Sequence, residues 1–175
     1  GSGAGGDMPA GDLILQSRSN ADRTIRFVTG SSPAQRVSIT NNGLLFGTDT
    51  AAANALDDYE EGNWTYTDAS SAGLTLSNNN NGRYTKIGRL VTASFDVTYP
   101  TNSNTETARL MLPFTTGTGY GSGFVGWNEL GRPMQAHCSG LSGYLMDNNA
   151  SGNAKHVTNA ELTGKRMIGS FVFQI

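Results

Sequence analysis

Alternation of apolar and polar residues is the strongest pattern in the chain, and it is clearest between Arg89 and Tyr99. Side chains that follow one another along a β-strand point to opposite faces of the sheet, so an apolar residue at every second position predicts a strand with one buried face. Thr92, Ser94 and Asp96 occupy intervening positions. The residues predicted to face the core are Val91, Ala93, Phe95, Val97 and Tyr99.

Similar segments, separated by residues that favour turns, continue on both sides of this strand. Together they are typical of an all-β, antiparallel sandwich, and we predict a jelly-roll-like head domain over residues 63–175. The stretches Ser77–Gly82 and Asn102–Asn104 are rich in turn-forming residues and are predicted to connect strands. The further predicted strands are 63–67, 83–87, 107–112, 123–128, 133–139, 143–147 and 167–175.

Residues 7–50 contain short strand candidates but few apolar residues. Strands this short cannot enclose a core within one chain. We therefore predict an intertwined trimeric β shaft, in which identical strands from other copies supply the missing walls. Residues 1–6, Gly-Ser-Gly-Ala-Gly-Gly, are interpreted as a flexible linker or a remnant of cloning. The candidate strands of the shaft are 13–15, 24–29, 36–40 and 44–46.

One segment, residues 51–62, favours a helix. Its alanines are strong helix formers and Gly62 can end a helix, so we predict one or two helical turns as a hinge between shaft and head. The acidic residues of this segment could act as paired carboxylates in glycoside hydrolysis. We prefer a structural interpretation, because acids stabilise the N-terminal end of a helix. They are Asp57, Asp58, Glu60 and Glu61.

Composition and charge narrow the possible functions. The chain has 175 residues, of which 37% are hydrophobic and 15% charged, both below the roughly 45–50% and 25% of an average domain. Twenty-three glycines fit a protein of short strands and turns. The net charge is −2 without a basic cluster, so a nucleic-acid partner is not expected. The single Cys138 excludes an intrachain disulfide and a Cys-based zinc site. No metal site or cofactor is predicted, and a metal ion on the axis of a trimer, for example at His137, stays open.

Several segments resemble, in order along the chain, the tail-fibre and related virion proteins of phages and prophages. In the longest, Asn54–Thr65, the sequence Leu-Asp-Asp-Tyr-Glu-Glu-Gly precedes Asn-Trp-Thr. The resemblance covers most of residues 12–175. The other segments that carry it are 36–44, 82–92, 112–114 and 162–171.

This resemblance implies a homotrimeric receptor-binding module, exposed at the tip of a phage tail fibre and joined to the rest of the fibre upstream. It would attach the virion to a bacterial surface glycan or outer-membrane protein. Two alternatives stay open: a tailspike-type polysaccharide depolymerase, and a structural virion component without a ligand. We do not expect an enzyme, because 175 residues leave no room for a long solenoid.

The stretch 117–160 lies between the segments that carry the resemblance. Within it, the region between about Gly117 and Asn153 mixes aromatic, amide and charged residues, a composition that suits carbohydrate, because rings pack on sugar C–H groups and polar groups bind hydroxyls. Trp127 could equally be a core residue. The candidate receptor-binding residues are Tyr120, Trp127, Asn128, Glu129, Arg132, Tyr144, Asp147 and Asn148.

No catalytic constellation is predicted. His137 and Cys138 are adjacent, and adjacent strand residues point to opposite faces, so they are poorly placed to act as a base and a nucleophile. Cys138 shares a face with Met134 and Ala136 and is predicted to lie in the core, which places His137 on the outer face. Trp64 is predicted to be a large core anchor of the first head strand.

Overall fold

The computed structural model describes residues 15, 24–30, 34–56, 58–148 and 154–175. The chain divides between Asp57 and Asp58 into two compact units, here called the N-terminal and C-terminal units. No helix of the described residues is long and apolar enough to cross a membrane. The linker predicted at residues 1–6 and all but Leu15 of the strand predicted at 13–15 lie outside the described residues.

The N-terminal unit contains an antiparallel sheet of three strands, in the order β1-β2-β3. The strands predicted at 24–29, 36–40 and 44–46 are therefore confirmed. Turn residues separate them, and Gly43 has a φ of 111°, a conformation that favours glycine. The strands are β1 (Ile25–Thr29), β2 (Ala34–Thr40) and β3 (Gly43–Phe46).

One face of this small sheet is apolar, and several of its side chains are exposed. Residues directly opposite each other on paired strands share a face, and the register aligns two rows of apolar side chains across the strands. Phe27, Ile39 and Phe46 have 47%, 44% and 59% of their surface exposed. We call this surface the apolar face; its first row is Ile25, Ile39, Leu44 and Leu56, and its second row is Phe27, Val37 and Phe46.

The helix predicted over residues 51–62 is limited to a 3-10 turn at Ala52–Asn54. From Tyr59 onward the segment is a strand, β4 (Tyr59–Trp64), because its backbone pairs with a long neighbouring strand of the C-terminal unit. Tertiary pairing overrides the local helix propensity of the preceding alanines. The acidic residues Glu60 and Glu61 therefore lie on a strand, and the explanation by a helix N-terminus does not apply to them.

The C-terminal unit is a nine-stranded antiparallel sheet in the order β11-β10-β9-β8-β12-β6-β5-β4, with β7 also paired to β10. The all-β class is confirmed, and each strand predicted for the head overlaps an observed one. The short β11 was not predicted, and Ser77–Gly82, predicted as a connection, is the first half of β5. The remaining strands are β5 (Ser77–Ile87), β6 (Leu90–Thr98), β7 (Arg109–Met111), β8 (Gly121–Asn128), β9 (Met134–Ser139), β10 (Ser142–Asn148), β11 (Ala154–His156) and β12 (Arg166–Gln174).

The sheet also closes on itself through hydrogen bonds between the segment after β4 and β7. The segment that follows β4 pairs with β7, since Asp68 bridges to Leu110, the amide of Met111 donates to the carbonyl of Thr67, and the amide of Ala69 donates to that of Arg109. β7 in turn pairs with β10. The hydrogen-bonded ladder therefore runs from β4 through β5, β6, β12, β8, β9, β10 and β7 back to the extension of β4.

Inside the closed sheet, the predicted inward face of β6 is confirmed. All five of its alternating apolar residues are buried, and Cys138 of β9 is fully buried among them. Trp64 is a core residue as predicted, and its indole N–H donates to the carbonyl of Ser94 at 3.0 Å. The ring of Phe171 on β12 packs against Gly143 on β10. A Cβ atom at position 143 would lie 2.4 Å from this ring.

The C-terminal unit begins and ends at the same turn. The amide of Gly88, between β5 and β6, donates to the carbonyl of Asp58 at 2.8 Å. The next residue, Arg89, accepts from the amide of Ile175 at 2.9 Å and donates through Nε to the Ile175 carbonyl at 2.8 Å. Asp58 and Ile175 thus flank one hairpin.

Candidate functional site

A groove of about 880 Å³ crosses the outer face of the C-terminal unit over β4, β5, β6, β12 and β8. Asp96 and Ile168 face outward because each is flanked along its strand by buried residues. The groove has a charged floor, a polar wall and an apolar wall. We call it the outer groove; the lining residues used below are Asn63, Asn80, Asn81, Arg83, Asp96, Phe124, Arg166 and Ile168.

An ion pair forms the floor of the outer groove. Arg166 Nε and Nη2 donate to the two carboxylate oxygens of Asp96 at 2.7 and 2.6 Å. The amide of Asn80 donates to the same carboxylate at 2.7 Å. These contacts lower the pKa of Asp96 from 3.8 to about 2, and the hydrogen bond from Arg166 has the largest effect. Asp96 is therefore ionised at neutral pH and cannot serve as a general acid.

The polar wall carries groups with free hydrogen-bonding capacity. Asn63 of β4 lies directly opposite Arg83 of β5, and both are exposed. Asn81 is also exposed and sits where the β5–β6 register shifts between Asn80 and Arg83. Within the described residues, the guanidinium of Arg83 has no ion-pair partner. Because Asp96 and Arg166 neutralise each other, Arg83 gives the groove a net positive charge.

The apolar wall consists of exposed side chains of β8 and β12. Phe124 is 59% exposed and Ile168 is 39% exposed. Trp127, directly opposite Ile168, borders the groove and is 46% exposed, so the alternative that it is a core residue is wrong. The guanidinium of Arg166 lies 5.7 Å from the centre of its ring, a cation–π contact that holds the indole beside the groove.

A bulge explains why Trp127 faces outward. Val125 pairs with Gly169 and points inward, whereas Trp127 pairs with Ile168, so Gly126 is an extra residue on β8. Without the bulge, Trp127 would share the inward face of Val125. A bulge re-aims the side chains that follow it.

Neither a protein-family model, nor a curated protein, nor a solved structure matches this chain.

The predicted site residues do not gather into one surface. Four of them lie around the β8–β9 turn and contact other parts of the fold. Asn128 Oδ1 accepts from the amide of Leu130, and Glu129 Oε2 accepts from the amide of Arg166. Arg132 contacts Asp147 at 3.2 Å, and Asp147 is buried. These side chains already have partners within the fold. Asn148 is exposed at the end of β10.

Tyr120, just before β8, and Tyr144 on β10 belong to a second cluster with the histidines of β9 and β11. Tyr144 stacks on His137, with ring centres 4.5 Å apart. The Nε2 atoms of His137 and His156 are 3.0 Å apart. Tyr120, 82% exposed, contacts His137 edge-on. Burial and the neighbouring His156 lower the pKa of His137. The prediction that His137 lies on the outer face of β9 is confirmed, since the face that holds Cys138 is inward.

Two of the acidic residues near the unit boundary, Asp58 and Glu60, contact Lys86, whereas Glu61 accepts from the hydroxyl of Tyr59. The ammonium of Lys86 lies 2.7 Å from Asp58 and 3.3 Å from Glu60, and the Asp58 hydrogen bond is the main cause that raises the pKa of Lys86. Tyr84 donates to the other oxygen of Glu60, which lowers the pKa of Glu60. This network ties β4 to β5. Asp57 lies outside the described residues.

Sequence reasoning missed Asn63, Asn81, Arg83 and Phe124. The run from Ser77 to Arg83 contains five residues typical of turns before its glycine, and it shows no apolar alternation that would indicate a strand. Phe124 lies in a strand that the sequence predicts, at 123–128. The sequence does not show whether its ring faces the core or the solvent, because that depends on the register of the strand.

Proposed function

We propose that the chain is a receptor-binding module of a phage tail fibre that attaches the virion to a glycan on the bacterial surface through the outer groove. The observation that carries this proposal is the pairing of exposed aromatic rings with free amide and guanidinium groups across the groove. The rings suit the C–H faces of sugars, and the polar wall suits their hydroxyl groups. The sequence resemblance to tail-fibre proteins supports the virion context.

The fixed floor favours recognition by a prearranged surface. The carboxylate of Asp96 is held by Arg166, Asn80 and Asn79. A ligand that enters the groove therefore meets side chains that are already positioned, which reduces the entropy lost on binding. A single shallow groove binds weakly, and several copies on one assembly raise the effective concentration.

The homotrimer is part of this proposal, and the apolar face of the N-terminal unit supports it. Among residues 15, 24–30 and 34–56, no layer covers the two rows of apolar side chains on these three short strands, and Phe27, Ile39 and Phe46 are exposed. Burial of apolar surface is the main force of association between chains. Identical faces from neighbouring copies would cover one another. The upstream part of the fibre is the other proposed partner.

Adsorption measurements test the proposed site. Phe124→Ala, Trp127→Ala and Asn81→Ala remove a ring or an amide at the groove. Each should reduce binding of the assembled protein to host cells, because each removes contacts made with the ligand. A loss of roughly 1–3 kcal/mol of monovalent binding free energy is expected for an aromatic contact. Binding to a panel of bacterial glycans identifies the receptor class.

Tyr59→Ala is the matched control, since Tyr59 is 60% exposed and does not line the groove. Its adsorption should equal that of the parent. If Tyr120→Ala abolishes adsorption while Phe124→Ala does not, the receptor site lies on the histidine side of the unit. Steady release of reducing ends from surface polysaccharide would instead support the depolymerase alternative.

A further inference from the structure

The only two histidines of the chain converge on one point of the outer surface. His137 on β9 and His156 on β11 bring their Nε2 atoms within 3.0 Å of each other. Strand β10 lies between β9 and β11, so the two rings reach toward each other across it. The hydrogen bonding of the strands does not require this approach.

A tyrosine on the strand between them holds both rings. Tyr144 lies directly opposite His137, and the two rings are parallel within 3°. The same tyrosine ring is 5.1 Å from that of His156. On its other neighbouring strand, β7, the guanidinium of Arg109 lies 5.6 Å from the Tyr144 ring centre. Stacking fixes the planes of the imidazoles and therefore the directions of their nitrogen lone pairs.

We propose that His137 and His156 form a binding site for a divalent transition-metal ion of the nickel, copper and zinc group. Imidazole nitrogen is a preferred ligand of these ions. Two Zn–N bonds of about 2.0–2.1 Å at a tetrahedral angle place the nitrogens roughly 3.3 Å apart. The observed 3.0 Å requires only a small separation of the rings.

In the metal-free protein, the contact is a hydrogen bond in which one Nε2–H donates to the other, unprotonated Nε2. When the ion binds, that Nε2 proton moves through water to Nδ1 of the same ring, so both rings become neutral Nδ1–H tautomers. Each Nε2 then gives its lone pair to the metal, no proton is lost from the pair and no electron is transferred. Neutral imidazoles are needed, so acid opposes binding.

Two protein ligands define the site, and its affinity should be modest. In residues 15, 24–30, 34–56, 58–148 and 154–175, no group of three or more His, Cys, Asp or Glu side chains is placed to hold an ion. Water would complete the coordination. Met146 lies directly opposite His156 and shares its face, and its thioether favours the softer ions of the group. Binding would tie β9 to the three-residue strand β11.

Calorimetric titration of the untagged protein with ZnCl2 at pH 7.5 tests the site. We expect one ion per chain with micromolar affinity, and at least a tenfold loss in His137→Gln and in His156→Gln. Saturating zinc should raise the Tm by about 5 °C or more, and EDTA should reverse the rise. Tyr59→Ala, remote in sequence from both strands, should bind zinc like the parent.

Retention of the untagged parent on an immobilised nickel column gives a second measurement that needs no variant. Elution by low imidazole is expected. Absence of zinc-dependent heat, Tm shift and nickel retention in the parent would overturn the proposal and leave the contact as a structural hydrogen bond. Folded glutamine variants that bind zinc as the parent does would place the ion elsewhere and overturn it as well.

Discussion

Asp96 on β6 and Arg166 at the start of β12 join two central strands through a two-pronged hydrogen bond, with distances of 2.7 and 2.6 Å. The carboxylate is buried, with a side chain only 10% exposed, whereas the arginine side chain is 37% exposed and also touches Trp127. The pair therefore links the stability of the sheet to the position of an aromatic ring beside the outer groove.

This pair should make stability depend on pH in the acid range. The pKa of Asp96 is about 2 in the fold and 3.8 as its ordinary value, so the folded state favours the ionised carboxylate. Its contribution is complete above pH 3.8 and is lost as the pH falls through 2. Asp96→Asn should cost about 1–2 kcal/mol of unfolding free energy at pH 6 and little near pH 2. Urea denaturation at both pH values measures the difference.

Asp58→Asn is the control for this effect. Asp58 also forms an ion pair, with Lys86, but its side chain is 46% exposed and Glu60 remains as a second partner. Exposed pairs contribute about 0–1 kcal/mol. If Asp58→Asn and Asp96→Asn change stability equally at pH 6, burial of the carboxylate is not the reason for the contribution of Asp96.

Gly143→Ala should destabilise the C-terminal unit. The new methyl group would lie 2.4 Å from the Phe171 ring, which is fully buried and cannot move without disturbing its neighbours. Overpacking of this kind costs about 1–3 kcal/mol. Gly126→Ala is the matched control, since its methyl group would meet the Phe124 ring at an ordinary 3.4 Å. Thermal unfolding of both variants compares them, and equal melting temperatures would contradict the close contact.

Ile39→Glu should weaken self-association. Ile39 lies in the first row of the apolar face and is 44% exposed, so a charge there disturbs an interface more than the fold of one chain. Light scattering should give three times the chain mass for the parent and a lower mass for the variant. Arg26→Glu, which changes the opposite face of β1, should leave the mass unchanged. If the unmodified protein is a folded monomer at micromolar concentration, the proposal of a trimer is wrong.

Arg83→Gln should reveal whether the receptor is anionic. The guanidinium gives the outer groove its net positive charge, and glutamine keeps hydrogen-bonding capacity without charge. For an acidic glycan, the variant should bind more weakly and lose most of the salt dependence of adsorption. Adsorption at low and high ionic strength measures this. If adsorption of the parent does not depend on salt, the ligand is neutral, and if parent and variant depend on salt equally, Arg83 does not meet the charge of the ligand.

The sequence predicted what depends on local alternation. Val91 and Phe95 lie in a strand whose every second residue is apolar, and their burial followed from that pattern alone. β11 was missed because Ala154, Lys155 and His156 contain no alternation, and the strand exists only because β10 supplies a partner. Tyr59–Gly62 was assigned to a helix because adjacent alanines favour one, whereas pairing with β5 makes it a strand.

The candidate site was harder to predict, because its surface depends on register. Trp64 and Trp127 both lie in strands rich in small and polar residues, yet one is buried and the other is exposed. The difference arises from the bulge at Gly126, which cannot be predicted from the local sequence pattern. Arg83 and Asn63 are 20 positions apart in sequence and lie directly opposite each other on β5 and β4. This pairing follows from the topology and not from the composition.

The turn at Gly88 and Arg89 has a consequence for engineering. Because Asp58 and Ile175 both hydrogen-bond to it, a few added residues could connect them and make the C-terminal unit circular in connectivity. New ends could then be opened elsewhere, for example at the exposed Gly131, whose φ is 68°. Because its two ends are close together, the unit could also be inserted into a surface loop of a carrier protein without moving the two sides of that loop apart. The carrier would then display the outer groove.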